Sequence, residues 1–137
     1  IATGTGANIN GTLNVTGNVQ LSATANVANT NLIRFNETVI AGGNTGAATI
    51  TPNAAAGSIF NYTLTGNITL STLANVSTGT SATIILTQDN VGNRLLTSTM
   101  KFAGGSKTLS TAANAVDIMS IFYDGSTYYA TLSKGYA

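Results

Sequence analysis

The chain has 137 residues, of which 7% are charged; it has no histidine and no cysteine, and its formal net charge is +1. Soluble proteins ordinarily carry about 25% charged residues, so hydration here falls to Thr, Asn, Ser and Gly, which hydrate without ionising. This excludes disulfides, thiol chemistry and a basic tract for nucleic acid or anionic lipid, and no apolar run approaches the roughly 20 residues of a membrane helix.

The first segment is NINGTLNVTGNVQLSATANV, residues 8–27. Its odd positions are apolar or glycine and its even positions are polar and uncharged. That period of two predicts β structure with one dry face. A strand typically runs about five or six residues, so the run is too long for one strand and cannot bury its own stripe. Residues 1–30 are therefore expected to be an extended, stalk-like assembly segment. Ile9, Leu13, Val15, Val19, Leu21 and Val27 would form the assembly core, closed by three copies about a threefold axis. Little charge beside many β-formers is hazardous in a free monomer, because open strand edges invite pairing. The chain opens on Ile1, and we expect it to be the ordered part of something longer, since an unanchored leading segment frays.

Residues 31–57 read as a transition and linker. NLIRFNETVI holds a compact apolar group and the first charges, and AGGNTGAATITPNAAAG follows with paired glycines and the only proline. One short strand is expected around Thr49–Thr51.

Residues 58–137 read as strands separated by turns. IFNYTLTGNITL puts Phe60, Tyr62, Leu64, Ile68 and Leu70 on one parity, with a turn at Gly66-Asn67. SATIILTQ is apolar on both faces at its centre, as suits a central strand. DNVGN is a loop, RLLTSTMKF a further strand or two, and AGGSKTLSTAANA a long connection. VDIMSIFYDGSTYYATLS is a hairpin about Asp124-Gly125. The predicted fold class is all-β: the extended N-terminal segment, then a C-terminal antiparallel β-sandwich of jelly-roll type. An echo links TLNVTGNVQLS (12–22) with TLTGNITLS (63–71), one local solution used twice.

The chemistry available is narrow. Without His or Cys, the commonest acid–base group, metal ligand and thiol nucleophile are missing. Four carboxylates remain: Glu37, Asp89, Asp117 and Asp124. Asp124 reads as a turn residue and Asp89 as the start of a loop, so a glycosidase acid pair is disfavoured. The QDNVGNR loop has Ca²⁺-type oxygens but only one carboxylate, which favours an Asx turn over a metal site. No catalytic residue, metal or cofactor is predicted. Phe122, Tyr123, Tyr128 and Tyr129 gather beside the Asp124-Gly125 turn, where alternate members point outward, so Tyr123, Asp124, Tyr128 and Tyr129 are the candidate contacts for a sugar ring or a protein partner. Asp89 and Arg94 flank one loop and could pair across it. Asp117 follows a run of small residues, and Arg94 or Lys101 is the expected partner for its carboxylate.

LTQDNVGNRLLTSTMKFAGG followed by LSTAANAVDIMSIFYDGSTYYATLS resembles a segment of bacteriophage tail-fibre and other virion surface proteins, many of them marine. The resemblance rests on Gln88, Asp89, Gly92 and Arg94; Gly104 and Gly105; Leu109, Ser110, Ala113, Ala115 and Asp117; and Tyr123, Asp124, Gly125, Tyr128 and Tyr129. It covers about residues 58–137. This chain departs from the family pattern by having no tryptophan. The resemblance implies a non-enzymatic virion structural protein, outside the cell on an exposed appendage. It would be a homotrimer contacting other virion proteins and attaching to a host-surface glycan or protein, without membrane insertion or nucleic acid. A capsid decoration or head-fibre protein is the alternative within the virion; a bacterial adhesin or carbohydrate-binding module is the alternative outside it.

Overall fold

The computed structural model describes residues 10–17, 19 and 33–136. The chain divides into two units, Ile1–Arg34 and Phe35–Ala137. In the first, the described residues form no regular strand, and Leu13, Val15 and Val19 are exposed. Ile9, Leu21 and Val27 lie outside the described residues.

The second unit is all-β. Its strands are β1 (Val39–Asn44), β2 (Thr49–Ile50), β3 (Ile59–Leu64), β4 (Ile68–Leu70), β5 (Ser81–Gln88), β6 (Leu96–Ser98), β7 (Lys101–Phe102), β8 (Val116–Tyr123) and β9 (Tyr128–Tyr136). A single 3-10 turn, Ala103–Gly105, follows β7. A six-stranded sheet has the order β1-β3-β5-β8-β9-β7, and a three-stranded sheet the order β2-β4-β6.

The expected antiparallel sandwich is corrected by the pairing. β1, β3 and β5 are parallel neighbours, as are β2, β4 and β6. The chain thus climbs in three stacked rungs, each placing one strand in each sheet, as in a β-solenoid. Only β5, β8 and β9 pair antiparallel, closing the stack with a hairpin. The segment read as a linker contributes the first rung. Its glycines and alanines give a weak apolar signal, yet the backbone of β1 pairs with β3 from Val39 to Asn44.

The first two rungs repeat at twenty residues, since Val39 pairs with Ile59 and Thr49 with Thr69. The sequence carries the same spacing: TGAATI (45–50) recurs as TGNITL (65–70). Stacked rungs need stacked turns. The Gly46 N–H donates to Thr65 Oγ1 at 2.9 Å, the Thr45 N–H to the Thr63 carbonyl at 3.0 Å, and the Leu95 N–H to Asn67 Oδ1 at 3.0 Å. The turns lie so close that a Cβ on Gly66 would stand 2.6 Å from the Ala47 nitrogen.

The core lies between the two sheets. The even positions Phe60, Tyr62 and Leu64 of β3 and Ala82, Ile84 and Leu86 of β5 point inward, with Met119 and Ile121 of β8. Ile68, Leu70 and Leu96 meet them from the smaller sheet. Each large apolar side chain so buried contributes about 1.5–3 kcal/mol.

Gly66→Ala is expected to destabilise the protein by about 1–3 kcal/mol, because the intruding methyl meets backbone that cannot swing aside. Denaturant unfolding checks this, with Thr69→Ser, on the exposed face of the neighbouring strand, expected to stay within about 0.5 kcal/mol of the parent.

Candidate functional site

Of the residues quoted for the resemblance, Gln88, Asp89, Gly92, Arg94, Ser110 and Asp117 meet where the loop after β5 reaches the connection entering β8, while Tyr123, Asp124, Gly125, Tyr128 and Tyr129 lie at the β8–β9 hairpin. Gln88 ends β5 fully buried, and its side chain is satisfied at both ends. Oε1 accepts from the Arg94 N–H at 2.8 Å, and Nε2 donates to the carbonyls of Arg94 and Ser110 at 3.1 and 2.9 Å. Asp89 then closes the loop. Its Oδ1 accepts from the backbone N–H groups of Val91 and Gly92, an Asx turn, and Oδ2 meets Arg94 Nη2 at 2.6 Å. The Arg94 hydrogen bond, followed by the two backbone donors, holds the Asp89 carboxyl below the usual carboxylate range.

Gly92 explains itself sterically. It has φ +75°, and a Cβ there would lie 2.4 Å from the Thr111 carbonyl oxygen. The small residues Ala112 and Ala113 let the two segments approach, and backbone bonds join Asn93 to Thr111 and Asn114 to Asp89.

Asp117 does not meet the basic partner expected for it. It is 1% exposed, and its oxygens accept from the Ser110 N–H and Oγ–H, both at 2.7 Å, and from the Gly135 N–H at 2.9 Å. Among the described residues the one salt bridge is Asp89–Arg94. Backbone and hydroxyl donors stand in for a cation, tying the incoming connection and the end of β9 to β8. The family-like residues at this end are thus a fastening rather than a ligand cradle.

The hairpin aromatics divide by parity. Tyr123 and Tyr128 stack with centroids 4.4 Å apart, and their hydroxyls donate to the Gly125 and Leu73 carbonyls. Desolvation, with Tyr123 alongside, raises the Tyr128 phenol above its ordinary value. Asp124 is a turn residue: its Oδ1 accepts from the Ser126 and Thr127 N–H groups, which with Thr127 foremost lower its carboxyl. Tyr129 faces the other way. It pairs across the strands with Phe122 on the outer face of the large sheet, and both rings are half exposed.

That outer face carries an open groove of about 390 Å³, lined by Phe122 and Tyr129, the hydroxyls of Ser81, Thr83, Ser120 and Thr131, and Glu37. Glu37 is held at its rim by the Ser58 hydroxyl at 3.1 Å. The sequence reading grouped Phe122 with the hairpin tyrosines and counted Glu37 among the carboxylates, but it named none of the four hydroxyls and did not bring these residues together. Their strand parity was legible, but the cross-strand register that gathers them was not. The groove offers flat rings, hydroxyl donors and one carboxylate acceptor. It has the makings of a contact surface.

The profile of the family described as "Putative phage tail fibre C-terminal domain" matches residues 50–128. No curated protein and no solved structure matches the chain. The match covers more than half of the sequence, so the chain belongs to the phage tail fibre C-terminal domain family. It starts at β2, takes in the second and third rungs, and ends at the β8–β9 hairpin.

Asp117→Asn is expected to lower stability by about 1–3 kcal/mol, since the amide turns one donor toward another and leaves a buried partner unmet; thermal unfolding reads this directly. Asp89 and Asp124 set the acid response. Both carboxyls are lowered on folding, so their stabilising effect is complete above the ordinary Asp value of about 3.9 and fades as pH falls below it, through the folded values. Unfolding midpoints are therefore expected to be flat through neutrality and to drop in strong acid, less steeply in an Asp89→Asn, Asp124→Asn double variant.

Proposed function

We propose that this tail-fibre domain is a non-enzymatic structural part of the virion that assembles as a homotrimer and attaches to the host surface through the outer face of its large sheet. Membership of the tail-fibre family supports a place in the particle. The observation that carries the attachment role is the composition of that face. Its outward positions on β3, β5 and β8, including Ile59, Ile85, Ile118 and Phe122 with intervening Asn, Thr and Ser, bear no charge, and the charges near them, Glu37 at the groove and Lys101 beside Tyr129, lie at the margin. A soluble sheet facing only water ordinarily alternates toward charged groups. Flat aromatic rings beside hydroxyls suit the apolar faces and hydroxyl rims of sugar rings, and equally suit a polar protein surface.

The trimer reading rests on Leu13, Val15 and Val19, an apolar stripe exposed in the single chain. With Ile9, Leu21 and Val27 it continues a one-sided pattern that three copies could close. The narrow supply of catalytic groups argues for adhesion over cleavage.

Light scattering of the purified chain is expected to give three times the monomer mass. Binding of the fluorescently labelled protein to host cells is expected to fall at least tenfold in a Phe122→Ala, Tyr129→Ala double variant with its trimer mass unchanged. Full binding by that variant would remove the outer face from host attachment.

A further inference from the structure

The stack of rungs ends abruptly. β1 is the outermost strand of the large sheet and β2 of the small one, and both belong to the first rung. Among the described residues, one end of the solenoid therefore presents two unpaired parallel edges together. Such edges are templates for another strand, and proteins ordinarily block them with charge, proline or a covering element. β1 and β2, VIAGGN and TI, have neither charge nor proline. Ile40 and Ile50 pack against the core from this rung yet stay partly exposed, and a Cβ on Gly43 would meet nothing within 4 Å.

The sequence contains a segment made to this pattern. Residues 10–21, NGTLNV-TGNVQL, align without a gap on residues 59–70, IFNYTL-TGNITL, which form the second rung. The alignment places Leu13 and Val15 at the inward positions of Tyr62 and Leu64, Val19 at that of Ile68, and Thr16-Gly17 at the stacked turn of Thr65-Gly66. The polar residues Thr12 and Asn14 fall where Asn61 and Thr63 face outward. In the register of the second rung, Leu13 falls opposite Gly43, where the space is open. Leu13, Val15 and Val19 are exposed, and among the described residues no strand pairs with the outer edge of β1 or β2.

We infer that the segment around Leu13–Val19 of one copy adds to the β1 and β2 edge of a neighbouring copy as a further rung of its solenoid. Each copy then gives one segment and receives one. This head-to-tail exchange covers the β1 and β2 edge of every copy when it closes into a ring and propagates as a filament when it does not. The inference goes beyond the trimer proposed above, since it requires a neighbour but no particular number of copies. Backbone pairing, rather than an apolar stripe meeting its own copies on an axis, is the contact.

The protein has no cysteine, which makes a crosslink test clean. Two differently tagged full-length chains are co-expressed, one carrying Thr12→Cys and the other Ala41→Cys, and oxidised. In the added rung these positions are neighbours on adjacent strands, about 4.8 Å apart and within disulfide reach. Mass spectrometry is expected to find a crosslink joining position 12 of one copy to position 41 of the other, with none when Lys101→Cys, at the opposite edge of the sheet, replaces Ala41→Cys. Crosslinks only between identical positions, equal crosslinking to position 101, or no crosslink would overturn the inference. So would a chain bearing both substitutions that forms the 12–41 link only within itself. Light scattering on the same samples separates the two readings. A trimer without the 12–41 link refutes the added rung and leaves the trimer standing, whereas the link in dimers or open chains upholds the rung and refutes three copies.

Discussion

Parallel stacking puts each rung directly above the last, and this imposes a single condition on every part of the unit: the turns must superpose as closely as the strands. Strands about 4.8 Å apart leave no room for a side chain between turns. Gly66 meets this by having none, and Thr65 and Asn67 meet it by turning their polar ends to the neighbouring backbone. The inward columns then follow without further specification. Ile40 lies beside Phe60 and Phe60 beside Ile84 because the register carries them there.

A stack of this kind must also stop. After β6 the chain leaves the solenoid path, passes through β7 and a 3-10 turn, and returns antiparallel beside β5. That change of direction releases backbone groups from the ladder near Arg94 and Ser110. Gln88 collects them with one amide, Asp89 and Arg94 close the loop over it, and Asp117 fastens the returning segment to the end of β9. The buried polar residues are concentrated where the topology switches, and each side-chain atom among them is paired. Fully satisfied polar networks can fix one arrangement among alternatives, and here the alternative would be another parallel rung.

Much of this was legible in the sequence. Alternation located the inward positions of β3 and β4, the Asp-Gly pair marked the final hairpin, and Asp89 and Arg94 were close enough along the chain to meet. Parallel pairing was not legible, because strand parity is the same whether the neighbour runs up or down. The first rung was hidden by its composition. VIAGGN reads as a linker on hydrophobicity, although the twenty-residue spacing of TGAATI and TGNITL was there to be found. The partners of Asp117 were invisible for a different reason: two of its three donors are backbone N–H groups, which every residue but proline possesses. The gathering of Phe122 with the hairpin tyrosines was legible, but not their division, because cross-strand register sets Phe122 beside Tyr129 and apart from the stacked Tyr123–Tyr128 pair.

The scarcity of charge takes on meaning in this setting. On an isolated sheet, Lys and Glu on outward positions discourage edge pairing and keep faces apart. A protein whose edges and faces are destined for contact gains nothing from those charges and would bear their desolvation cost at every interface. Thr, Ser and Asn offer a compromise: they hydrate an exposed strand, favour or tolerate extended backbone, and can be covered without stranding an ion. Four of the nine formal charges of the chain are held locally. Asp89 and Arg94 neutralise each other, Asp117 is absorbed by three donors, and Asp124 shapes a turn. What remains is a large-sheet face whose charges, Glu37 and Lys101, sit at its margins, and an uncharged open rung, so the bulk of both surfaces can be buried at little electrostatic cost.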